Sequence, residues 1–482
     1  MTRQLKRRRF EQLECRALLT AVSFIQRDSP ESNVDGPVSI ATGDLDGDGD
    51  TDILTAANRE GELIWHENSD GRGESFAEHS LAANVDRPTD VVMADLDGDE
   101  DLDVVASGRA SDLLIWFENK GAGLFGEKQV ILTSDDPFGS ASDVQVVDIN
   151  QDDRPDIVAA IDTGFVWIPG QDQGFAEPNM ISNTNQLATG ITIADFDLDN
   201  DLDVAAITTL DHSAMWFEND GQGQFHQKHQ ISDNVRFATK MVSTDVDSDG
   251  DLDLIVTSAL TNNIKWYEND NATFLNARSI ETADTTSDLG VVDIDGDNDL
   301  DLVASYANRS ELIWFELQPD RGYSPAQRVI LDLPIVDSIV PADVNGDGMT
   351  DVVVASYAED DVSWIQLTRA DLTNDGELTA DDIDHLFAAI RANDQSTKFD
   401  LDQNGTVDHE DADRLIRHEF QSTLGDANLD GIFDTNDIIH VFQFGRFQQP
   451  TEASWESGDW NGDGYFDTSD LIAAFVSTVF SG

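Results

Sequence analysis

Residues 44–53 read DLDGDGDTDI, with carboxylates at Asp44, Asp46, Asp48, Asp50 and Asp52. Carboxylates this crowded repel one another, so the stretch is either a solvated acidic loop or a cage around a cation. Recurrence separates the two. Related stretches are DLDGDEDLDV from Asp95, DINQDDRPDI from Asp148, DFDLDNDLDV from Asp195 and DVDSDGDLDL from Asp245. Two more follow, DIDGDNDLDL from Asp293 and DVNGDGMTDV from Asp343. Their starts lie 51, 53, 47, 50, 48 and 50 residues apart, which is the period of a repeat architecture.

Each copy is followed by a tryptophan: Trp65, Trp116, Trp167, Trp216, Trp266, Trp314 and Trp364. The offset from the first aspartate is 21 residues in six units and 19 in the third, so loop and indole belong to one rigid unit. Within a unit the pattern is all-β. Val38–Ala41 leads into the acidic loop, Ile53–Ala56 leaves it, Glu62–His66 carries the tryptophan, and a polar outer strand follows near Phe76 to Leu81. Four short strands repeated seven times predict an all-β seven-bladed propeller over 22–368. Val22 to Ile25 reads as an outer strand without a blade, suited to completing the seventh blade and removing its open edge.

The loop composition fits calcium, which takes six to eight oxygen ligands and accepts alternate side chains plus a main-chain carbonyl. Numbering from the first aspartate, positions 1, 3, 5, 7 and 9 are the candidate ligands. They are Asp44 to Asp52 as above, then Asp95, Asp97, Asp99, Asp101 and Asp103 in the second loop. The third has Asp148, Asn150, Asp152, Arg154 and Asp156, and the fourth Asp195, Asp197, Asp199, Asp201 and Asp203. The fifth has Asp245, Asp247, Asp249, Asp251 and Asp253, and the sixth Asp293, Asp295, Asp297, Asp299 and Asp301. The seventh has Asp343, Asn345, Asp347, Met349 and Asp351. Arg154 and Met349 at position 7 are what a main-chain carbonyl ligand predicts. Position 6 should take a left-handed turn, which Glu100 fits poorly, and the third loop, with Arg154 and Pro155, departs furthest from the pattern. Magnesium demands a smaller octahedral cage, and zinc lacks its Cys and His partners.

After Leu367 the grammar changes to a 12-residue loop followed by an amphipathic helix. The candidate ligands are Asp371, Thr373, Asp375, Glu377 and Asp382, then Asp400, Asp402, Asn404, Thr406 and Asp411. The last two sets are Asp426, Asn428, Asp430, Ile432 and Asp437, and Asp459, Asn461, Asp463, Tyr465 and Asp470. Each loop has glycine at position 6 and aspartate, in place of the usual glutamate, at position 12. Helices are expected over 383–392, 412–420, 438–447 and 471–480, with no clear helix entering any loop. The expected organisation is a basic segment 1–21, the propeller 22–368, and small all-α calcium-loop modules at 369–424 and 425–482.

Ninety-six acids against 28 bases leave a formal charge of −68 on 482 residues. This argues against nucleic acid or anionic lipid as a partner, and no run approaches the length of a membrane span. One cysteine, Cys15, permits no intramolecular disulfide. Catalytic signatures such as HExxH or GxSxG are missing, and Glu67, Glu118, Glu218, Glu268 and Glu316 recur two residues after the tryptophan, a structural pattern and not a catalytic pair. The expectation is therefore no enzyme.

The Asp-loop units, with WFEN strands at Trp116–Asn119 and Trp216–Asn219, resemble the FG-GAP/VCBS repeat of integrin-alpha-type propellers across 22–368. That resemblance implies a secreted or cell-surface calcium-binding adhesion protein whose ligand face lies opposite the Asp loops, at turns such as Asn58-Arg59-Glu60, Gly108-Arg109, Leu210-Asp211-His212 and Ala307-Asn308-Arg309. The C-terminal loop–helix units resemble the F-hand of type I dockerins, an EF-hand relative. This implies a cohesin-like partner contacted through loop positions 10 and 11, which Thr435-Asn436 and Thr468-Ser469 suit and His409-Glu410 does not. Leu13-Glu14-Cys15-Arg16-Ala17-Leu18-Leu19 resembles the arginine-rich start of many exported bacterial proteins. Because dockerin-like modules often accompany polysaccharide-degrading enzymes, a polysaccharide-binding or polysaccharide-degrading complex is the alternative setting.

Overall fold

The computed structural model describes residues 23–27, 34–83, 85, 87–109, 112–133, 140–172, 174–184, 186–260, 263–282, 284–294, 299–306, 308–309, 311–318, 322–330, 335–368, 370–373, 378–401, 406–420 and 422–477. The basic segment 1–21, and Asp295, Asp297, Asp375, Glu377, Asp402, Asn404 and Ala307, lie outside the described residues. The chain divides into Phe24–Leu367 and a second unit containing Thr368–Gly482.

The first unit holds seven four-stranded antiparallel sheets. Blade one is typical, with strands Pro37–Gly43, Asp52–Ala57, Glu62–Asn68 and Phe76–Ala83 paired in that order. The second strand of every blade is buried along its whole length, as its β-branched and alanine composition requires. Blade seven comprises Ser338–Ala342, Asp351–Ser356 and Asp361–Thr368, and its fourth strand is Ser23–Arg27 from the opposite end of the chain. That pairing closes the ring. Blade six carries an added two-stranded ribbon, Leu317–Gln318 with Gly322–Tyr323, which the repeat pattern does not indicate.

The apolar cores lie between blades and not within them. Leu45, Leu54 and Trp65 of blade one pack with Val91, Val104, Ile115 and Phe117 of blade two, and later seams repeat the arrangement. Each indole needs room in the next blade. At Gly123 a Cβ would lie 2.4 Å from the Trp65 ring, and at Gly223 it would lie 2.3 Å from Trp167. A second seam device is an asparagine three residues after the tryptophan. Asn219 Nδ2 donates to Leu202 O of its own blade (3.0 Å) and to Ile149 O of the preceding one (2.8 Å). Asn119 and Asn269 do the same, and Asn68 reaches Val344 of blade seven across the closure.

Among the described residues the second unit has four α-helices, α1 (Ala380–Ala392), α2 (His409–Arg414), α3 (Thr435–Gln443) and α4 (Thr468–Ser477), each following one loop. They begin about three residues earlier than the hydrophobic pattern indicates, because the capping residue lies inside the loop. α2 continues as a widened turn over Leu415–Glu419. One apolar core runs from Ala370 to Ala474 and includes Trp455 and Trp460, the two tryptophans outside the blade series. Among the described residues no helix is long and apolar enough to cross a membrane.

Candidate metal centre

In blade one the innermost strand ends at Gly43 and the next begins at Asp52, so Asp44 to Thr51 form the connecting loop. Asp44 folds it by accepting amides: Oδ1 from Gly47 (2.7 Å) and Asp48 (3.1 Å), Oδ2 from Gly49 (2.9 Å). Asp46 in turn accepts Asp48 N–H, and Asp48 accepts Asp50 N–H. The aspartates at position 1 of loops two to five and seven accept the amides of positions 5 and 6 in the same way. This curl needs left-handed backbone at position 6, seen at Gly49 (φ 98°), Asn200 (φ 72°) and also Glu100 (φ 76°). It needs the same at position 4, where Gln151, Leu198 and Ser248 adopt φ of 57–59°. Sequence reasoning missed position 4, although glycine at Gly47, Gly98 and Gly346 was the available signal.

The result is convergence. In loops one, two, four and five a carboxylate oxygen from each of positions 1, 3 and 5 lies within 4.8 Å of the others: Asp44/Asp46/Asp48, Asp95/Asp97/Asp99, Asp195/Asp197/Asp199 and Asp245/Asp247/Asp249. Burial, then the neighbouring carboxylates, raises Asp46, Asp97 and Asp197 above the ordinary carboxylate range. Loops three and seven place Asn150 and Asn345 at position 3, with Asn345 Nδ2 donating to Asp347 (2.9 Å).

Position 7 behaves differently. The Arg154 guanidinium bonds Asp172 (2.6 Å) while staying 3.7 Å from Asp152 of its own loop, and Asp251 accepts Asn271 N–H (2.7 Å), so these side chains also serve neighbouring turns. Position 9 is a fully buried staple. Asp52 accepts Leu45 N–H (3.0 Å) on one oxygen and Asn68 N–H (2.8 Å) on the other. Asp103, Asp156, Asp203, Asp253, Asp301 and Asp351 repeat both bonds, and Asp253 adds the Trp266 indole N–H (3.0 Å). Burial pushes Asp52, Asp103 and Asp156 up to about 6 and Asp203 and Asp253 up to about 7.

In the second unit Asp426 accepts Asp430 N–H (3.2 Å) and Gly431 N–H (2.7 Å), Asp430 accepts Ile432 N–H (3.0 Å), and Asp463 accepts Tyr465 N–H (2.9 Å). The position-7 side chains of Ile432 and Tyr465 face solvent. Position 12 is again a buried staple and is also the third helical residue. Asp437 accepts Ala427 N–H (2.9 Å) and Asp434 N–H (2.8 Å), closing a capping box; Asp411 and Asp470 do likewise, and Asp382 accepts the amides of Thr373, at position 3, and Thr379. Thr373 Oγ1 donates to Asp371 (3.3 Å). In the fourth loop Arg391 reaches Asp459 (3.4 Å), so a side-chain cation already lies against position 1 there.

The donor set is all oxygen, and three oxygens this close suit one calcium ion, whose ligands sit about 2.3–2.6 Å from the metal. Oδ1 of Asn150, Asp197 and Asp459 is buried without a hydrogen-bond partner, as suits an oxygen that ligates a cation. The residues at positions 1, 3 and 5 fit the metal; position 9 and position 12 serve first to hold the backbone.

Fold and site together define a seven-bladed propeller of tandem Asp-loop repeats. The chain belongs to the FG-GAP-like repeat family, whose profile matches residues 44–106, 98–159, 195–256, 245–304 and 293–354, more than half of its length. Among solved structures it is similar to BBS1N in complex with ARL6DN, at 13% identity and a TM-score of 0.50 over 71% of this chain and 96% of that one. A streptogramin B lyase gives 12% identity and a TM-score of 0.50 over 72% and 98%. An Agrocybe aegerita protein that recognises non-reducing terminal N-acetylglucosamine gives 16% identity and 0.47 over 64% and 81%. Identities this low show a common fold alone. No curated protein sequence matches the chain.

Proposed function

We propose that this chain is a calcium-binding, non-catalytic binding or adhesion protein of the cell surface or exterior, with the propeller as ligand scaffold and the C-terminal unit as a dockerin-like docking module. The observation that carries this reading is the convergence of positions 1, 3 and 5 in four separate loops. A bound Ca²⁺ supplies charge neutralisation, which relieves the mutual repulsion of the loop carboxylates. The chain's own residues do the rest: position 1 curls the loop, and the last aspartate ties it to a strand or helix.

The recurring glutamates support a scaffold without catalysis. Glu67 pairs with His79 (2.6 Å), which stacks on Trp65, and Glu218 pairs with His229 (3.1 Å), which stacks on Trp216, so they are parts of the blade edge. Docking is supported by exposed Ile439 and Phe442 on α3 and Ile472, Phe475 and Val476 on α4. Among the described residues of 370–424 no large apolar side chain is comparably exposed. A cohesin-like partner suits that face.

The test is to apply the full chain, with calcium or with chelator, to immobilised cohesin modules and to a glycan array. Calcium-dependent, saturable capture without bond cleavage supports the proposal. Release of reducing sugar, or capture indifferent to chelator, overturns it.

A further inference from the structure

The innermost strands run towards the Asp loops, so the residue preceding each strand and the turn between its second and third strands lie at the opposite end of the propeller. On blades four and five that end carries four exposed apolar side chains. Leu187 is 36% exposed, Leu210 62%, Phe237 40% and Leu260 56%. Backbone bonds hold each blade's pair at this end: Leu187 O accepts Thr209 N–H (3.0 Å) and Gln186 O accepts Leu210 N–H (3.1 Å) in blade four, and Phe237 O accepts Ala259 N–H (2.9 Å) in blade five. The His212 ring lies 5.3 Å from Phe237, and His212 O accepts Val235 N–H (2.8 Å).

Folding does not account for these side chains. Leu187 (φ 57°) and Phe237 (φ 51°) occupy the left-handed region, where bulky residues are strained. The corresponding position of blade one is Gly36 (φ 69°), which adopts that backbone without strain. A bulky apolar residue in strained backbone, left largely in water, gains too little from packing to explain its presence, and strain of this kind gathers where a protein meets a ligand.

Charge narrows the occupant. Exposed charged residues close to the four in the chain are Asp211, Asp233 and Arg236. Asp211 accepts the Thr208 hydroxyl (2.5 Å), whereas Arg236 is exposed and has no ion-pair partner among the described residues. Arg59 and Arg309, at the same end, are each paired with aspartate, whereas the exposed Arg87 and Arg109 of blade two, like Arg236, show no ion pair among the described residues. In a chain of charge −68 an unneutralised guanidinium beside an apolar surface selects for an incoming carboxylate.

We propose that Leu187, Leu210, Phe237 and Leu260 form the docking surface for a polypeptide segment that presents apolar side chains next to a carboxylate received by Arg236. This rests on the reading of the propeller as a ligand scaffold and names the chemistry of its partner. The test is selection of a random-peptide display library on the calcium-loaded full chain. Enriched peptides are expected to combine Leu, Ile, Phe or Trp with Asp or Glu. They should bind the Leu187→Gly/Phe237→Gly variant about tenfold more weakly or worse, and lose affinity for Arg236→Ala only when they are acidic. The double variant should melt at or above the parent temperature, because glycine relieves the strained backbone. Lack of enrichment, or equal binding by the variant, overturns the proposal, and so does a lowered melting temperature, which would assign the side chains to the fold. A concentration-dependent dimer, or glycan capture, that the double variant abolishes overturns it in favour of that occupant. Calcium stoichiometry, measured on the same samples, reports separately on the scaffold reading.

Discussion

The Asp loops of the propeller and those of the C-terminal unit start alike and end differently. In both, position 1 accepts the amides of positions 5 and 6, position 5 accepts the amide of position 7, and positions 4 and 6 turn left-handed, as Leu429 (φ 57°) and Gly431 (φ 83°) repeat. The closing carboxylate sets the exit. At position 9 it joins the amide of position 2 to one 16 residues on, at the end of the tryptophan strand, and the chain leaves as a strand. At position 12 it joins the amide of position 2 to that of position 9, and the chain leaves as a helix. One cradle therefore serves two folds, and the difference lies in which backbone the last aspartate satisfies.

The strongest way to break this comparison is to remove the closing residue in each setting. Asp253→Ala orphans three buried donors, the amides of Val246 and Asn269 and the Trp266 indole. At about 1–3 kcal/mol for each orphaned donor the loss is roughly 3–9 kcal/mol. Asp437→Ala orphans mainly the amides of Ala427 and Asp434, which gives roughly 2–6 kcal/mol on the same basis. Differential scanning calorimetry of both variants reads the two losses. Equal, small shifts would show that the staples do not hold the loops.

Next in size is the pH dependence of the metal-free chain. Buried Asp52, Asp103, Asp156, Asp203 and Asp253 titrate at about 6 to 7, above their unfolded range. The native state then holds protons that the unfolded chain has released. Their contribution is complete below the unfolded value near 4 and is lost as pH rises through 6 to 7. With chelator present, the propeller should melt at a lower temperature at pH 8 than at pH 5. With calcium, which requires ionised carboxylates, the slope should flatten or reverse. A metal-free melting temperature that rises with pH would contradict the burial of these groups.

The smallest effect sharpens the account of the left-handed turn. Glu100→Gly relieves strain at φ 76° and should stabilise the chain by about 1 kcal/mol, visible as a slightly raised urea midpoint. A destabilised variant would mean that the Glu100 side chain has a contact of its own.

Much of this was legible in the sequence, because the period near 50 residues and the fixed offset to Trp65 and its successors depend on local spacing alone. The Ser23–Arg27 strand could be placed by elimination, since blade seven lacked a fourth strand. Other features were hidden by distance: Asn119 bonds Leu45 across 74 residues, and Asn68 bonds Val344 across 276. The left-handed turn at position 4 was masked where Gln151, Leu198 and Ser248 stand in place of glycine. The backbone-holding roles of Asp52 and Asp437 were hidden for another reason. An aspartate in an acidic loop reads as a ligand, and only the fold reveals that both of its oxygens meet backbone amides.

The central claim is that the converging carboxylates are calcium cradles, and calorimetric titration of the metal-stripped full chain with Ca²⁺ tests it most directly. The account predicts saturable binding of at least four equivalents, one for each loop in which positions 1, 3 and 5 converge, with a melting temperature that rises as they fill. A titration without saturable heat, and with no change in melting temperature, would contradict it.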